Sequence, residues 1–381
     1  MTAKLYFATN RNYKGTDQWK PTGYGGKFSS DGHYNLRFGK VEMTIDKDSV
    51  DTHLTKKFKG SRSGDGEKLT AFLTKEAKSA DILAYEDATS SAKKEIGFKS
   101  NSSTRFFKDL KKDMSDNTDV VIFIHGYNVS WESAVGSAMS LQFMLNRNRK
   151  EGDKKVIVVL FTWPSNGSMM PFAAYKSDRS DARDSAQAIA RAILKLKDFL
   201  GEIKISASDK TMRPCTQSIH LLAHSMGNYV LENSLKKIAG YSSGNRMPRI
   251  FENIFLCASD VDDDCLEDSK KMSDIHQLAN HVSVYYNKGD VAMYISDFTK
   301  GNPQRLGNTG AARPQLIHNK IHQVNCSKIV SGLTEHSYYQ WATVNDDIAM
   351  TINRWILMMK AGKENVWRIV ENGDLFKSFY Y

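Results

Sequence analysis

Cysteine is scarce and unpatterned in this chain. The four residues, Cys215, Cys257, Cys265 and Cys326, never stand in a C-x-x-C pair, which removes the usual zinc and redox spacings. Cys257 sits inside an apolar strand pattern, so free buried thiols in a reducing cytoplasm are the expectation. Long apolar runs are missing too. None approaches the roughly 20 residues needed to cross a bilayer, and the start M-T-A-K-L-Y-F lacks the charged and apolar regions of a secretory signal. No internal repeat and no Pro-, Gly- or Ser-rich tract divides the 381 residues. No basic tract is interleaved with aromatics as a single-strand nucleic-acid groove requires, so no specific nucleic-acid partner is expected. The net charge of +10 still admits attraction to acidic substrates and peripheral contact with an anionic membrane.

What the chain does have is a series of short, wholly apolar strands. Val120–Tyr127, Val156–Trp163, an apolar run ending at Ser225, Ile254–Ser259 and Val282–Tyr286 alternate with helical segments. The first helix is Trp131–Asn146. Another carries Ala182, Ala186, Ile189, Ile193, Leu196 and Leu200 at helical spacing, its charged Asp178, Arg179, Asp181, Arg183 and Asp184 forming a solvated first turn. Apolar strands alternating with helices predict an α/β fold: a mostly parallel central sheet with helices on both faces and sites at the C-terminal strand ends. Ahead of this core, Lys4–Thr9 and Lys40–Asp46 read as an antiparallel sheet edge flanking a loop with Gly23, Gly25 and Gly26. Thr55–Asn117 reads as helices and loops covering that edge. The expected organisation is thus an N-terminal β-containing extension over residues 1–117 packed on a catalytic core over 118–381.

The chemistry centres on S-I-H-L-L-A-H-S-M-G-N-Y, Ser218–Tyr229. A strand that turns sharply into a helix lifts Ser225 above the sheet only if the flanking positions are small, and here they are Ala223 and Gly227. A helix start favours developing negative charge, and Met226 N–H can donate to an oxyanion. His125-Gly126-Tyr127-Asn128 ends the first long strand, where Tyr127 N–H is the expected second donor and His125 is expected on the substrate side. Past the last strands, His336 in E-H-S-Y-Y is the expected base. The acid is Asp290, in a turn after the fifth strand, with Asp260 and Asp262 in S-D-V-D-D-D as the alternative. Met169, Met170 and Phe172 are expected to line an acyl pocket. His318 and His322 have the spacing of a helical metal pair but no third ligand, so no metal is expected. The segment Phe298–Glu335 is long enough to gate the site.

Through F-A-T-N-R, Gly25-Gly26, Phe38-Gly39, H-G-Y-N, F-T-W-P-S, A-H-S-M-G-N, S-D-V-D, Asn287–Asp290, R-L-G and H-S-Y-Y, the chain resembles a bacterial family of α/β-hydrolase-fold proteins. That family is described as esterase- or lipase-like and is mostly of unassigned substrate. The resemblance implies the α/β-hydrolase fold and a Ser-Asp-His triad carried by Ser225, Asp290 and His336. Ala223 stands where the common lipase elbow has glycine. The expected activity is that of a serine hydrolase cleaving a small-molecule or lipid ester through an acyl-enzyme, without metal or organic cofactor. The alternatives are a phospholipase or lipase at anionic membranes, and a catalytically inactive binding protein on the same fold. Oligomeric state is not legible in the sequence.

Overall fold

Alternate residues of each central strand feed two separate cores. In β6 (Thr118–Ile124), Val120 and Ile124 face one helical layer while Val121 and Phe123 face the other. In β7 (Lys155–Thr162), Ile157, Val159 and Phe161 oppose Val158 and Leu160. In β8 (Ile219–His224), Leu221 and Ala223 oppose Leu222. Strands buried on both faces have no solvated side on which to place polar residues, hence their near-continuous apolar sequence.

The computed structural model describes residues 1–57, 62–85, 102–114, 118–165, 171–207, 217–293, 304–330, 335–361, 367–371 and 374–378. The further strands are β1 (Thr2–Thr9), β2 (Arg11–Lys14), β3 (Gly23–Phe28), β4 (Arg37–Thr44), β5 (Asp81–Ala84), β9 (Phe251–Cys257), β10 (Ala279–Tyr286), β11 (Ile321–Asn325), β12 (Trp367–Glu371) and β13 (Asp374–Ser378). Nine form one sheet in the order β11-β10-β9-β8-β6-β7-β1-β4-β5, parallel from β11 through β1 and antiparallel across β1-β4 and β4-β5. The longer helices are α1 (Lys47–Thr55), α2 (Gly66–Glu76), α3 (Ser102–Asp113), α4 (Trp131–Asn146), α5 (Pro171–Ala207), α6 (Gly227–Tyr241) and α7 (Ala342–Ala361). Buried side chains of α3, α5 and α6 share one core with the sheet, and those of α2, α4 and α7 the other. Among the described residues no helix is long and apolar enough to cross a membrane.

Several expectations change. β1 pairs antiparallel with β4 as expected, but its other side pairs parallel with β7, so it lies inside the sheet. The Gly23–Gly26 stretch is not a loop: it is β3, paired with β2. Asp81–Ala84 forms the far edge strand within a stretch expected to be helices and loops. Ile321–Asn325, inside the expected gate, is the opposite edge strand, so His322 lies on a strand and the helical His318/His322 pair does not exist. His322 packs on His281 of β10 (centroids 5.9 Å apart), and His318 stacks on His276 at 3.8 Å. The charged run after Tyr175 is no solvated first turn, since α5 starts at Pro171 and Asp178 is fully buried. Cys257, Cys265 and Cys326 are free and buried. Cys215 lies outside the described residues.

β6 places β7 on one side and β8 on the other, so consecutive connections from β6 and β7 leave in opposite directions. In open parallel sheets sites form where the direction of winding reverses, at the carboxyl ends of such strands.

Candidate active site

Ser225 sits at that reversal. The residue adopts φ 53°, a left-handed conformation that a non-glycine side chain accepts only when the surroundings impose it. They do so with hydrogen bonds on both sides of the turn. Ser225 N–H donates to Cys257 O at 3.0 Å, and Asp260 N–H donates to Ser225 O at 3.2 Å. The side-chain amide of Asn228 donates to Ala223 O (3.0 Å) and Ser225 O (3.1 Å). Gly227 is small for a reason other than crowding across the bend: a Cβ there would lie 2.5 Å from Ile124 O and 2.7 Å from His125 O of the adjoining strand end. The elbow therefore rests on the start of the H-G-Y-N turn. Met226 N–H, at the head of α6, has no acceptor among the described residues.

His336 and Asp290 meet although 46 residues separate them. Nδ1 of His336 lies 2.7 Å from Oδ2 of Asp290, which is fully buried, while the imidazole is 21% exposed. A carboxylate is acceptor-only, so Nδ1 carries the proton and Nε2 is left as the basic nitrogen. Asp290 Oδ1 also accepts from Ala292 N–H at 3.1 Å. The histidine loop is tied to the elbow through His224, whose Nε2–H donates to His336 O at 3.2 Å and whose ring packs 4.8 Å from that of His336. Burial, with His336 as second cause, holds the His224 pKa well below its ordinary value, so the ring is neutral and donates through one nitrogen only. Beyond His336, the fully buried Tyr338 donates its hydroxyl to Tyr285 O (2.9 Å) and accepts from Ala258 N–H (3.1 Å), bolting the loop to the ends of β10 and β9. Ser225 Oγ makes no hydrogen bond to the described residues. Such contacts tighten in many hydrolases only when substrate is bound.

Asp260 and Asp262, the alternative acids, are engaged elsewhere. Asp260 accepts from the Tyr175 hydroxyl at 2.7 Å and lies 3.5 Å from both Arg179 Nη1 and Arg305 Nε. Asp262 pairs with Nη1 of the same buried Arg305. The R-L-G motif explains itself here: Arg305 anchors S-D-V-D, and Gly307 packs so closely on Ala258 and Ser259 that no Cβ fits. Arg179 lies 3.5 Å over the Tyr229 ring. Tyr127 is half-buried against Tyr175 (5.7 Å), on the same side of the elbow.

His125 does not line a substrate cleft. It is 1% exposed and stacks on Trp163 at 5.3 Å, with both ring nitrogens engaged. Met169 and Met170 lie outside the described residues, and so does the side chain of Phe172. Arg11, Tyr338 and Arg305 have no role in the sequence reading beyond their place in the short motifs N-R, H-S-Y-Y and R-L-G, and Asp178 is read there only as part of a solvated turn.

A sharp strand-to-helix turn presenting a serine, a glycine turn beside it, and a His-Asp pair from later loops are the parts of an α/β hydrolase. Residues 99–349 match the model of the family "Alpha/beta hydrolase of unknown function (DUF900)", and the chain belongs to that family. Among solved structures, the product of gene lin2722 from Listeria innocua is similar at 12% identity and a TM-score of 0.30, over 67% of this chain and 98% of that one. The peroxisomal α/β-hydrolase Lpx1 of Saccharomyces cerevisiae is similar at 8% identity and a TM-score of 0.21, over 68% of this chain and 44% of that one. No curated protein matches.

Proposed function

We propose that the protein is a serine hydrolase that cleaves an ester-type bond through an acyl-enzyme, with Ser225 as nucleophile, His336 as base and Asp290 as orienting acid. The observation that carries this reading is the 2.7 Å contact between His336 Nδ1 and Asp290, on a loop tied to His224, the residue next to Ser225. In this mechanism Ser225 Oγ attacks the carbonyl carbon while His336 Nε2 takes its proton, and Asp290 stabilises the resulting imidazolium. The oxyanion forms beside the N–H groups of Met226 and Tyr127. The imidazolium then returns the proton to the leaving alcohol as the acyl bond to Ser225 is completed. Water, deprotonated by the same nitrogen, hydrolyses that acyl bond and restores the serine.

A fluorophosphonate probe tests the assignment. Labelling at Ser225 in the native chain, abolished in Ser225→Ala with the fold retained, is expected, and labelling that survives in Ser225→Ala overturns it. The net charge of +10 favours one second reading, hydrolysis of lipid esters at an anionic membrane. A rate that rises on anionic vesicles and loses that rise in high salt is its signature, whereas a preference for short acyl esters in free solution supports the first.

A further inference from the structure

We propose that Arg11 is a positioning residue for the oxyanion turn, acting through the tautomer of His125 to aim the N–H of Tyr127. The inference rests on the serine-hydrolase reading and adds to it a residue more than 200 positions from the nucleophile.

Arg11 opens β2, with a single residue between it and the end of β1, and is 1% exposed. Its Nε donates to Thr162 Oγ1 (2.8 Å), Nη1 to Gly25 O (3.1 Å), and Nη2 to Val129 O (2.8 Å) and His125 Nε2 (3.3 Å). None of these acceptors is a carboxylate. A cation so placed is expensive to bury, and an apolar side chain of similar volume would serve packing alone as well or better. Burial pulls its pKa down to about 9, with Asp178 and Glu132 opposing from a distance, so the guanidinium remains charged at neutral pH.

Its partners show what the charge is for. His125 and Val129 bracket the turn that carries Gly126, Tyr127 and Asn128, and one nitrogen of Arg11 holds both ends. His125 Nε2 also faces Thr162 Oγ1 at 2.9 Å and accepts from Trp163 N–H at 3.3 Å. The guanidinium and the Trp163 amide can only donate, so Nε2 must be the unprotonated nitrogen and Nδ1 the protonated one. Burial, then Arg11, push the His125 pKa down to about 3, in keeping with a permanently neutral ring. Nδ1–H therefore donates to Gly126 O, 2.9 Å away. That carbonyl and Tyr127 N–H belong to one peptide unit, planar and trans, in which C=O and N–H point in opposite directions. Fixing the oxygen against His125 fixes the direction of the Tyr127 N–H. On the far side of the turn Asn128 N–H donates to the buried Asp178 (3.2 Å) and Val129 N–H to Ser165 Oγ (3.1 Å), whose hydroxyl in turn donates to Asp178. The turn is held between the Arg11 guanidinium, which takes Val129 O, and the Asp178 carboxylate, which takes Asn128 N–H directly and Val129 N–H through Ser165. Four separate motifs of the sequence, N-R, G-G, H-G-Y-N and F-T-W-P, thus converge on one guanidinium.

The experiment compares Arg11→Met, Arg11→Lys and Thr162→Val in the full chain by three readouts: thermal unfolding, steady-state kinetics on a soluble chromogenic ester, and amide hydrogen exchange over residues 125–129. Arg11→Met is expected to lose about 100-fold in kcat with KM within threefold, as when an oxyanion donor is removed or misdirected. Fluorophosphonate labelling slows in parallel and exchange protection of the turn falls. Arg11→Lys, which keeps a charge but not the fork, regains part of kcat, and Thr162→Val falls between Arg11→Met and the native chain. Folded Arg11→Met with kcat within threefold of the native chain and unchanged protection overturns the proposal. If Arg11→Met does not fold, Arg11→Lys and Thr162→Val decide by the same criteria. A native chain that labels at no serine sinks the serine-hydrolase reading instead, and the exchange data then report on the Arg11–His125 anchor by themselves.

Discussion

The Cβ that Gly126 lacks would fall 2.7 Å from the Cβ of Ser225 and 3.2 Å from its Oγ. The turn glycine is therefore a steric counterpart of Ser225: the two residues approach so closely that no side chain fits between them.

Gly126→Ala is expected to reduce kcat/KM by at least about 100-fold, because turn and serine must move apart and the donor geometry is lost with them. Kinetics on a short-chain ester, with circular dichroism as a check on folding, measure it. A variant with native turnover would show that the turn lies away from the reacting atoms.

Asp290→Asn is expected to lower turnover by about 10⁴-fold, since the wrong imidazole tautomer then dominates. Asp260→Asn should act chiefly on stability: it weakens the partnership with the buried Arg305 and with Tyr175, lowering the melting temperature while turnover per folded molecule stays within tenfold. The reverse pattern would move the acid to the end of β9.

Tyr338→Phe removes the hydroxyl that bonds both Tyr285 O and Ala258 N–H, while those two backbone groups keep their own bond of 3.1 Å. A loss of about 0.5–1.5 kcal/mol in urea unfolding is expected, along with reduced turnover because the histidine loop loses its bolt. Unchanged stability would mean that water replaces the hydroxyl.

Acid should weaken the β10–β11 edge before activity is considered at all. Burial holds the pKa of both His281 and His322 at about 4, with Lys320 lowering the first and His281 the second. Unfolded histidine titrates near 6.5, so between roughly pH 6.5 and 4 the unfolded chain binds protons that the folded chain refuses, and stability falls as pH falls through that window. Urea midpoints at pH 7 and 5 check this. His322→Phe should shrink the difference between them, and a difference equal to that of the native chain would remove these imidazoles from the account.

The legible parts of the sequence were those in which local pattern and burial coincide. β6, β7 and β8 are apolar because both faces are covered, and α4 lies over Trp131–Asn146 as its pattern predicted. β5 (D-I-L-A) and β11 (I-H-Q-V-N) were missed because edge strands are short and only partly buried, so no extended apolar run marks them. Asp178 was misread for a related reason. Its neighbours on α5 are charged, and only the three-dimensional arrangement brings Asn128 N–H and Ser165 to it. Arg11 was out of reach altogether, because its acceptors lie between 14 and 151 positions downstream.

The place of β1 between β4 and β7 bears on how the chain is made. A ribosome delivers β1 well before its parallel partner: at roughly 5–20 residues per second, residues 155–162 follow about 8–30 s later. Over that interval β4 can cover one side of β1, but the backbone groups meant for β7 remain an open edge able to pair with another nascent chain. The same delay applies to Arg11, which has Gly25 O close by in sequence but waits for Val129 and Thr162 before its remaining donors are satisfied. Among the interior strands of the sheet β1 thus waits longest for its second neighbour, which makes that interval the period in which this chain most needs protection from its own copies.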